Sequence, residues 1–321
     1  MSTVTVFGAG AWGSTMAQVL SDAGNEVLLW GRSESVIAEI NSSHTNTKYL
    51  GAHTLPASIQ ATTDIDQAFS FSDTYVLAIP AQQLRSTLQE WKPYFSPSST
   101  IVSTLKGIEI STQMRMTEVI EDVLGPHKIA IITGPNLADE LVLRQPAGAV
   151  AAAASIELAD SIRNLFRTPY YRVYTSIDVM GCELSGAIKS VIALAVGISI
   201  GMGFGENTQA MLITRGLNEV ARLCAAHGSD PLSAAGLAGM GDLVASCGSP
   251  LSRNRTFGEV IGRSGSMAKA REEVAKTIAH RVGIEVPVIE AVAEIVSEQL
   301  SPEAALQKLM EITTKAENFI R

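Results

Sequence analysis

The rhythm of apolar and polar positions along this chain changes once, near residue 177. Before that point short runs rich in β-branched residues alternate with stretches of helical spacing, the pattern of a parallel sheet covered by helices. Residues 3–7, 26–30, 74–79, 100–103 and 129–133 are predicted strands, and 149–153 and 170–174 extend the same sheet. A helix over 12–23 separates the first two strands. Beyond residue 177 the strand signals stop, and apolar residues recur at helical spacing through 184–200, 210–226 and 288–296. The predicted class is therefore α/β: a doubly wound sheet over residues 1–180, followed by an all-helical domain over 181–321. The boundary falls where the helix carrying Cys182 and Lys189 begins. No internal repeat, low-complexity tract or long linker interrupts this plan.

Composition supports the plan and narrows the partners. At 321 residues the chain exceeds what one hydrophobic core usually organises, which favours two domains. With 46% hydrophobic and 17% charged residues it can bury a large interior. The excess of 32 acidic over 24 basic side chains argues against a nucleic-acid partner, because phosphate backbones are held by clustered cations. An anionic small molecule needs only a few. Cys182, Cys224 and Cys247 are odd in number and lack paired zinc spacing, so a reduced, cytoplasmic setting without a metal is expected. The first strand begins within a few residues of Met1, leaving no room for a signal segment. The most apolar window, residues 191–205, falls short of the roughly 18 residues that suggest a bilayer crossing. Lys189 and Glu206 flank it, so a helix buried in a protein core is expected and no membrane span. Oligomeric state is not legible; a homodimer is the assembly to test.

The first strand runs into GAGAWG, which sets Gly8, Gly10 and Gly13 between strand and helix, with a second strand following. That is the Rossmann-type unit. Gly8 makes the tight turn, Gly10 lets backbone approach a pyrophosphate, and Gly13 lets helix pack on strand. The helix start supplies free amides and positive dipole to the phosphates through Ala11 and Trp12. A flavin or S-adenosylmethionine uses a similar turn, and a glycine-rich turn without ligand is the plain alternative. After the second strand the chain reads Leu28, Leu29, Trp30, Gly31, Arg32. A carboxylate there would pair with ribose hydroxyls, whereas an arginine accommodates a 2′-phosphate, so NADP(H) is preferred over NAD(H), which remains usable. A solvated surface arginine is the alternative.

Four further segments carry chemistry. Lys189 interrupts the apolar helix SGAIKSVIALAVG, and a lysine there is paired, snorkelled to the surface or functional, because desolvating its ammonium is costly. Burial would also lower its pKa and suit it to proton transfer near neutral pH. GLAGMGDLVASC leads Gly236, Gly239 and Gly241 up to Asp242, which otherwise reads as a helix cap. SPLSRNRTFG gathers Ser252, Arg253 and Asn254 at a predicted helix start, a suitable set for a phosphate monoester or simply a charged helix terminus. Lys106 in STLKGIE and the GPN of Gly134 to Asn136 each follow a strand on the edge where open α/β sheets bind ligands, and either also serves as a plain turn.

Taken together and in order, GAGAWG, LKG, GPN, the lysine helix, GLAGMGDLVASC and SRNRTFG resemble the bacterial NAD(P)-dependent glycerol-3-phosphate dehydrogenases, and the likeness spans essentially the whole chain. It implies reversible hydride transfer between sn-glycerol 3-phosphate and dihydroxyacetone phosphate, supplying phospholipid backbones. It implies Lys189 as proton acceptor, with Lys106 contacting substrate and cofactor. Gly134, Asn136, Asp242, Ser252, Arg253 and Asn254 match substrate positions; Ala138 matches a cofactor contact, and Arg253 is shared with the cofactor.

The chain departs from the family pattern in places. Asn136 stands where Ser or Thr is usual, followed by Leu137 instead of Phe, and a side-chain amide still hydrogen-bonds substrate. Ser190 replaces the usual Asn after the lysine and inherits no contact. Ala11 replaces Ser and keeps only its backbone. Relatives carry a Val-Val-Glu-Gly stretch with a cofactor-binding glutamate, whereas here Val274 runs straight into Ala275 and Lys276. About a dozen residues are missing, a length typical of a mobile active-site loop. Either the loop is deleted or the protein itself still carries it; the second is expected, and Glu272 and Glu273 inherit no role. Two rivals stay open: a β-hydroxyacid dehydrogenase holding a carboxylate on Arg253, and a dinucleotide-sensing regulator without catalysis.

Overall fold

A computed structural model describes residues 1–264, 287–297 and 299–311. The chain forms two compact units: Met1–Lys106 with Met114–Val179, and Gly107–Gln113 with Met180–Arg321.

The first unit is built on eight strands, β1 (Thr3–Phe7), β2 (Glu26–Trp30), β3 (Gln60–Thr62), β4 (Thr74–Leu77), β5 (Thr100–Ser103), β6 (Lys128–Thr133), β7 (Ala147–Ala153) and β8 (Tyr171–Ser176). They lie in the order β3-β2-β1-β4-β5-β6-β7-β8, so chain direction across the sheet reverses between β1 and β4. Ligands of such sheets bind outside the strand ends at that reversal. Strand alternation sends Val4 and Val6 to one face and Phe7 to the other. On the first face they meet Met16, Val19 and Leu20 of the helix Ala11–Asp22, and on the second Phe7 joins Tyr75, Leu77 and Trp91. Burial on both faces is what makes these strands near-continuous apolar runs, each fully buried Val or Leu contributing about 1.5–3 kcal/mol.

Two expectations need correction here. All sheet neighbours are parallel except β6 and β7, which pair antiparallel from Ala130↔Ala153 to Thr133↔Val150. Apolar periodicity marks a strand but carries no direction. The connection here holds only the four-residue helix Ala138–Leu141 and returns the chain antiparallel. The short edge strand β3 was not anticipated, since Gln60–Thr62 has no β-branched run to announce it.

Among the described residues the second unit has no strand. Its core gathers Leu184, Ile188 and Ile192 with Leu217, Val220, Leu243 and Val292. Ile108 belongs to this core, so the chain leaves the first unit after Lys106 and returns at Met114, an excursion the sequence reading did not separate. The helix with Lys189 spans Val179–Gly201, 23 residues, longer than the window read from the sequence. By length and composition it would cross a bilayer, so the length argument fails. Burial inside the protein, 67% of its most apolar window, is what identifies it as a core helix. Four glycines let it approach the helix Arg253–Ser264: a Cβ on Gly197 or Gly201 would lie 2.0 or 2.2 Å from the carbonyl oxygens of Arg255 or Glu259. A Cβ on Gly258 or Gly262 would lie 2.3 or 2.2 Å from those of Leu194 or Ile198.

Candidate active site

The residues singled out above fall into two groups, one on each unit. On the first, Gly8 has φ +121°, and a Cβ there would sit 2.4 Å from the Ala78 carbonyl oxygen. A Cβ on Gly13 would sit 1.7 Å from the Gly8 carbonyl oxygen, so only hydrogen fits at either position. Gly10 differs, because nothing lies within 4 Å of its would-be Cβ. It is the N-cap of Ala11–Asp22, and no side chain caps that helix. The first amides, including those of Ala11 and Trp12, therefore lack the usual side-chain acceptor and border open space that a side chain would fill. A dinucleotide pyrophosphate fits this cradle. Arg32, exposed beyond the end of β2, reaches only Gln83 Oε1 at 3.5 Å, and Trp30 at the strand end donates its indole N–H to the Thr63 carbonyl at 3.1 Å. Ser33, the N-cap of Glu34–Ser43, makes no side-chain capping bond.

Further along the same sheet edge, Lys106 Nζ donates to the Gly134 carbonyl at 2.8 Å. Gly134 has φ +137°, and a Cβ on it would meet Ala149 Cα and the Gly148 carbonyl at 3.0 Å. The GPN turn thus depends on this glycine and on the alanine-rich β7. The Asn136 Oδ1 accepts from the Tyr171 hydroxyl at 3.2 Å, while its buried Nδ2 has no partner among the described residues. Ala138 opens the helix Ala138–Leu141.

On the second unit, Lys189 does not snorkel. Its Nζ donates to Asp242 Oδ1 and, at 2.9 Å, to Ser246 Oγ. Side-chain exposure is 13% for the lysine and 2% for the aspartate, so the ion pair is largely withdrawn from water. Asp242 lies in the first turn of the helix Asp242–Gly248, whose N-cap is Gly241; it pairs with the lysine and does not cap. A π-helical turn, Leu237–Gly241, feeds into it. There a Cβ on Gly239 would lie 2.0 Å from the Ala234 carbonyl oxygen, which explains that glycine of the motif. Ser246 was missed by the sequence reading, although it stands one helical turn after Asp242. Burial pushes the neighbouring Cys247 thiol up to about 12 against the pull of Lys189 and Arg255, so it stays protonated. Ser252 is buried, and its Oγ accepts from the Arg255 amide at 3.4 Å at the start of Arg253–Ser264. Among the described residues Arg253, which is exposed, makes no ion pair, and the buried Asn254 Oδ1 has no partner. An open cleft of about 930 Å³ lined by Arg163, Arg167, Arg172 and Tyr174 includes none of these residues.

A doubly wound sheet that offers uncapped helix amides at its reversal point, continued by a helical unit with a buried lysine–carboxylate pair, has the organisation of a dinucleotide-dependent dehydrogenase. Comparison with known proteins narrows that class. Residues 3–159 match the family described as NAD-dependent glycerol-3-phosphate dehydrogenase N-terminus, and residues 178–307 its C-terminus. Relatives named glycerol-3-phosphate dehydrogenase [NAD(P)+] include one from Streptomyces coelicolor, 47% identical over 97% of each chain, and one from Thermobifida fusca, 45% identical over 99% of each. The crystal structure of glycerol-3-phosphate dehydrogenase from Coxiella burnetii superposes with a TM-score of 0.89 at 30% identity, covering 97% of this chain and 99% of that one. The chain belongs to the NAD-dependent glycerol-3-phosphate dehydrogenase family.

The Thermobifida fusca alignment spans 334 positions, more than the 321 residues here, so that relative carries residues with no counterpart in this chain. The stretch around Glu272, Glu273 and Val274 lies outside the described residues.

Proposed function

We propose that this protein interconverts dihydroxyacetone phosphate and sn-glycerol 3-phosphate, with NADPH preferred over NADH, and supplies phospholipid synthesis from the cytoplasm. The observation that carries the reading is the buried Lys189–Asp242 pair with Ser246 as its second acceptor. Residues 1–180, apart from the Gly107–Gln113 excursion, act as the dinucleotide-binding domain and 181–321 as the helical substrate-binding domain. Gly8, Gly10, Ala11, Trp12 and Gly13 hold the pyrophosphate, with Arg32, Lys106, Ala138 and Arg253 as further cofactor contacts. When bound, the cofactor supplies a hydride to the carbonyl carbon.

The rest is done by side chains. The Lys189 ammonium stabilises the negative charge that develops on the carbonyl oxygen and delivers a proton to it; in the reverse direction the amine takes the proton back. Asp242 keeps Lys189 charged and aimed. Arg253, with no acidic partner among the described residues, and the Asn254 amide bind the phosphate near the Ser252-capped helix start. Lys106, Gly134 and Asn136 complete the substrate contacts.

NADPH oxidation with dihydroxyacetone phosphate, against NADH and a panel of β-keto acids, tests the assignment. Turnover confined to the β-keto acids would replace it with the hydroxyacid reading, and NADPH binding without turnover of any substrate would favour a regulator. Lys189→Ala is expected to lower kcat by about 10²–10⁴-fold. Arg32→Ala is expected to lower kcat/KM for NADPH about tenfold and leave that for NADH nearly unchanged, the size of one charge-assisted contact. An unchanged cofactor ratio would remove the 2′-phosphate role.

A further inference from the structure

We infer that Tyr171 is a positioning residue that fixes the side-chain amide of Asn136, so that its NH2 group stands ready as a hydrogen-bond donor to a substrate oxygen. The inference rests on the reading of Asn136 as a substrate contact.

The argument begins with the chemistry of position 136. A serine or threonine hydroxyl rotates to donate or accept as the ligand requires. An asparagine amide has an acceptor end and a donor end, and rotation by half a turn exchanges them. Asparagine at this position therefore serves an oxygen ligand best when something holds its orientation. Tyr171 supplies that hold: its hydroxyl donates to Asn136 Oδ1 at 3.2 Å. The ring is fully buried among Ala149, Ile162 and Phe166 of the core, so the hydroxyl has little freedom to follow the amide. With Oδ1 occupied, Nδ2 is left buried and unpartnered. Such a donor calls for an acceptor, and none is present among the described residues. A phosphate, carbonyl or hydroxyl oxygen meets that need.

Topology explains why a residue so far along the chain is in place. Because β7 runs antiparallel to β6, and β8 runs parallel to β7, the start of β8 lies on the edge where β1 to β6 end. Tyr171 pairs in register with Ala147, two residues from the Ala149 that packs against Gly134. An all-parallel sheet would have placed Tyr171 at the opposite edge.

The test is a pair of measurements in two backgrounds. Tyr171→Phe is expected to raise KM for dihydroxyacetone phosphate roughly three- to tenfold, the worth of one oriented hydrogen bond, with KM for NADPH and the melting temperature little changed. In an Asn136→Ser background, where the hydroxyl orients itself, the same change should cost less than about twofold. An equal penalty in both backgrounds would mean that Tyr171 acts only through packing, and no penalty in either would mean that it does not orient the amide; each overturns the inference. Asn136→Ala separates the two levels. If it leaves KM for dihydroxyacetone phosphate unchanged, the reading of Asn136 as a substrate contact fails and the inference falls with it. If it raises KM while Tyr171→Phe does not, the inference alone fails.

Discussion

A lysine ammonium held in an apolar helix keeps its charge only if something replaces the water it has lost, and for Lys189 that something is Asp242 and Ser246. The two partners should not be equivalent. Removing one member of a buried ion pair leaves the other uncompensated and costs about 3–5 kcal/mol, whereas deleting a neutral acceptor costs about 1 kcal/mol. Asp242→Asn is thus expected to depress the melting temperature and to lower kcat by about a hundredfold or more, and Ser246→Ala to lower kcat only about three- to tenfold. Steady-state kinetics with thermal melts decide it; equal losses from the two would show that the charge of Asp242 is not what holds the lysine. Lys189 and Asp242 stood out in the sequence because each breaks a local pattern, a charge in an apolar helix and an acid after a run of glycines, and Ser252 to Asn254 stood out because they gather at a helix start. Ser246 breaks no local pattern, so nothing in the sequence set it apart. Tyr171 was hidden by the undetermined direction of β7.

Helices carry residues to their places, and here the spacing between two of them is set by glycine. Gly197 and Gly201 on the Lys189 helix interleave with Gly258 and Gly262 on Arg253–Ser264, each against a backbone carbonyl. Alanine at an interior helix position is ordinarily better than glycine by about 1 kcal/mol. At Gly258 a Cβ would stand 2.3 Å from the Leu194 carbonyl, and backbone cannot swing aside as a long side chain does. Overpacking costs about 1–3 kcal/mol, so the clash should win and Gly258→Ala should lower the melting temperature. Separating the helices would also displace the turn that bears Arg253 and Asn254, and KM for dihydroxyacetone phosphate should rise several-fold. A melting temperature above that of the unaltered protein would mean that helix propensity prevails and the close approach is dispensable. The period of the apolar pattern revealed the Lys189 helix and seven of the eight strands, whereas the helix at Arg253 was read from its polar start. The pattern records which residues face a core, but it does not record strand direction, a three-residue edge strand such as β3, or an excursion such as Gly107–Gln113, in which Ile108 alone is a buried apolar residue.

For the molecule as a whole, stability against pH should carry the mark of one buried acid. Glu219 is almost wholly buried in the helical unit, and its carboxylate accepts from the amides of Val288 at 2.8 Å and Ile289 at 3.1 Å, at the start of Pro287–Val296. Burial raises its pKa from the ordinary 4.5 to about 7; the two amides and Arg222 pull the other way, and Glu290 adds to the rise. Between those two values the folded protein retains a proton that the unfolded chain has released. Stability from this group is therefore fully present below the unfolded value and is lost as pH rises through the folded one. Glu219→Gln keeps an acceptor for one of the amides but does not titrate. The other ionisable groups are common to both proteins and cancel in the comparison. The melting temperature of the unaltered protein minus that of Glu219→Gln should be largest near pH 5, fall steadily to about pH 7, and level off above it. A difference that stays flat, or grows with pH, would mean that the carboxylate is charged in the folded state throughout and that its two amide bonds outweigh its burial.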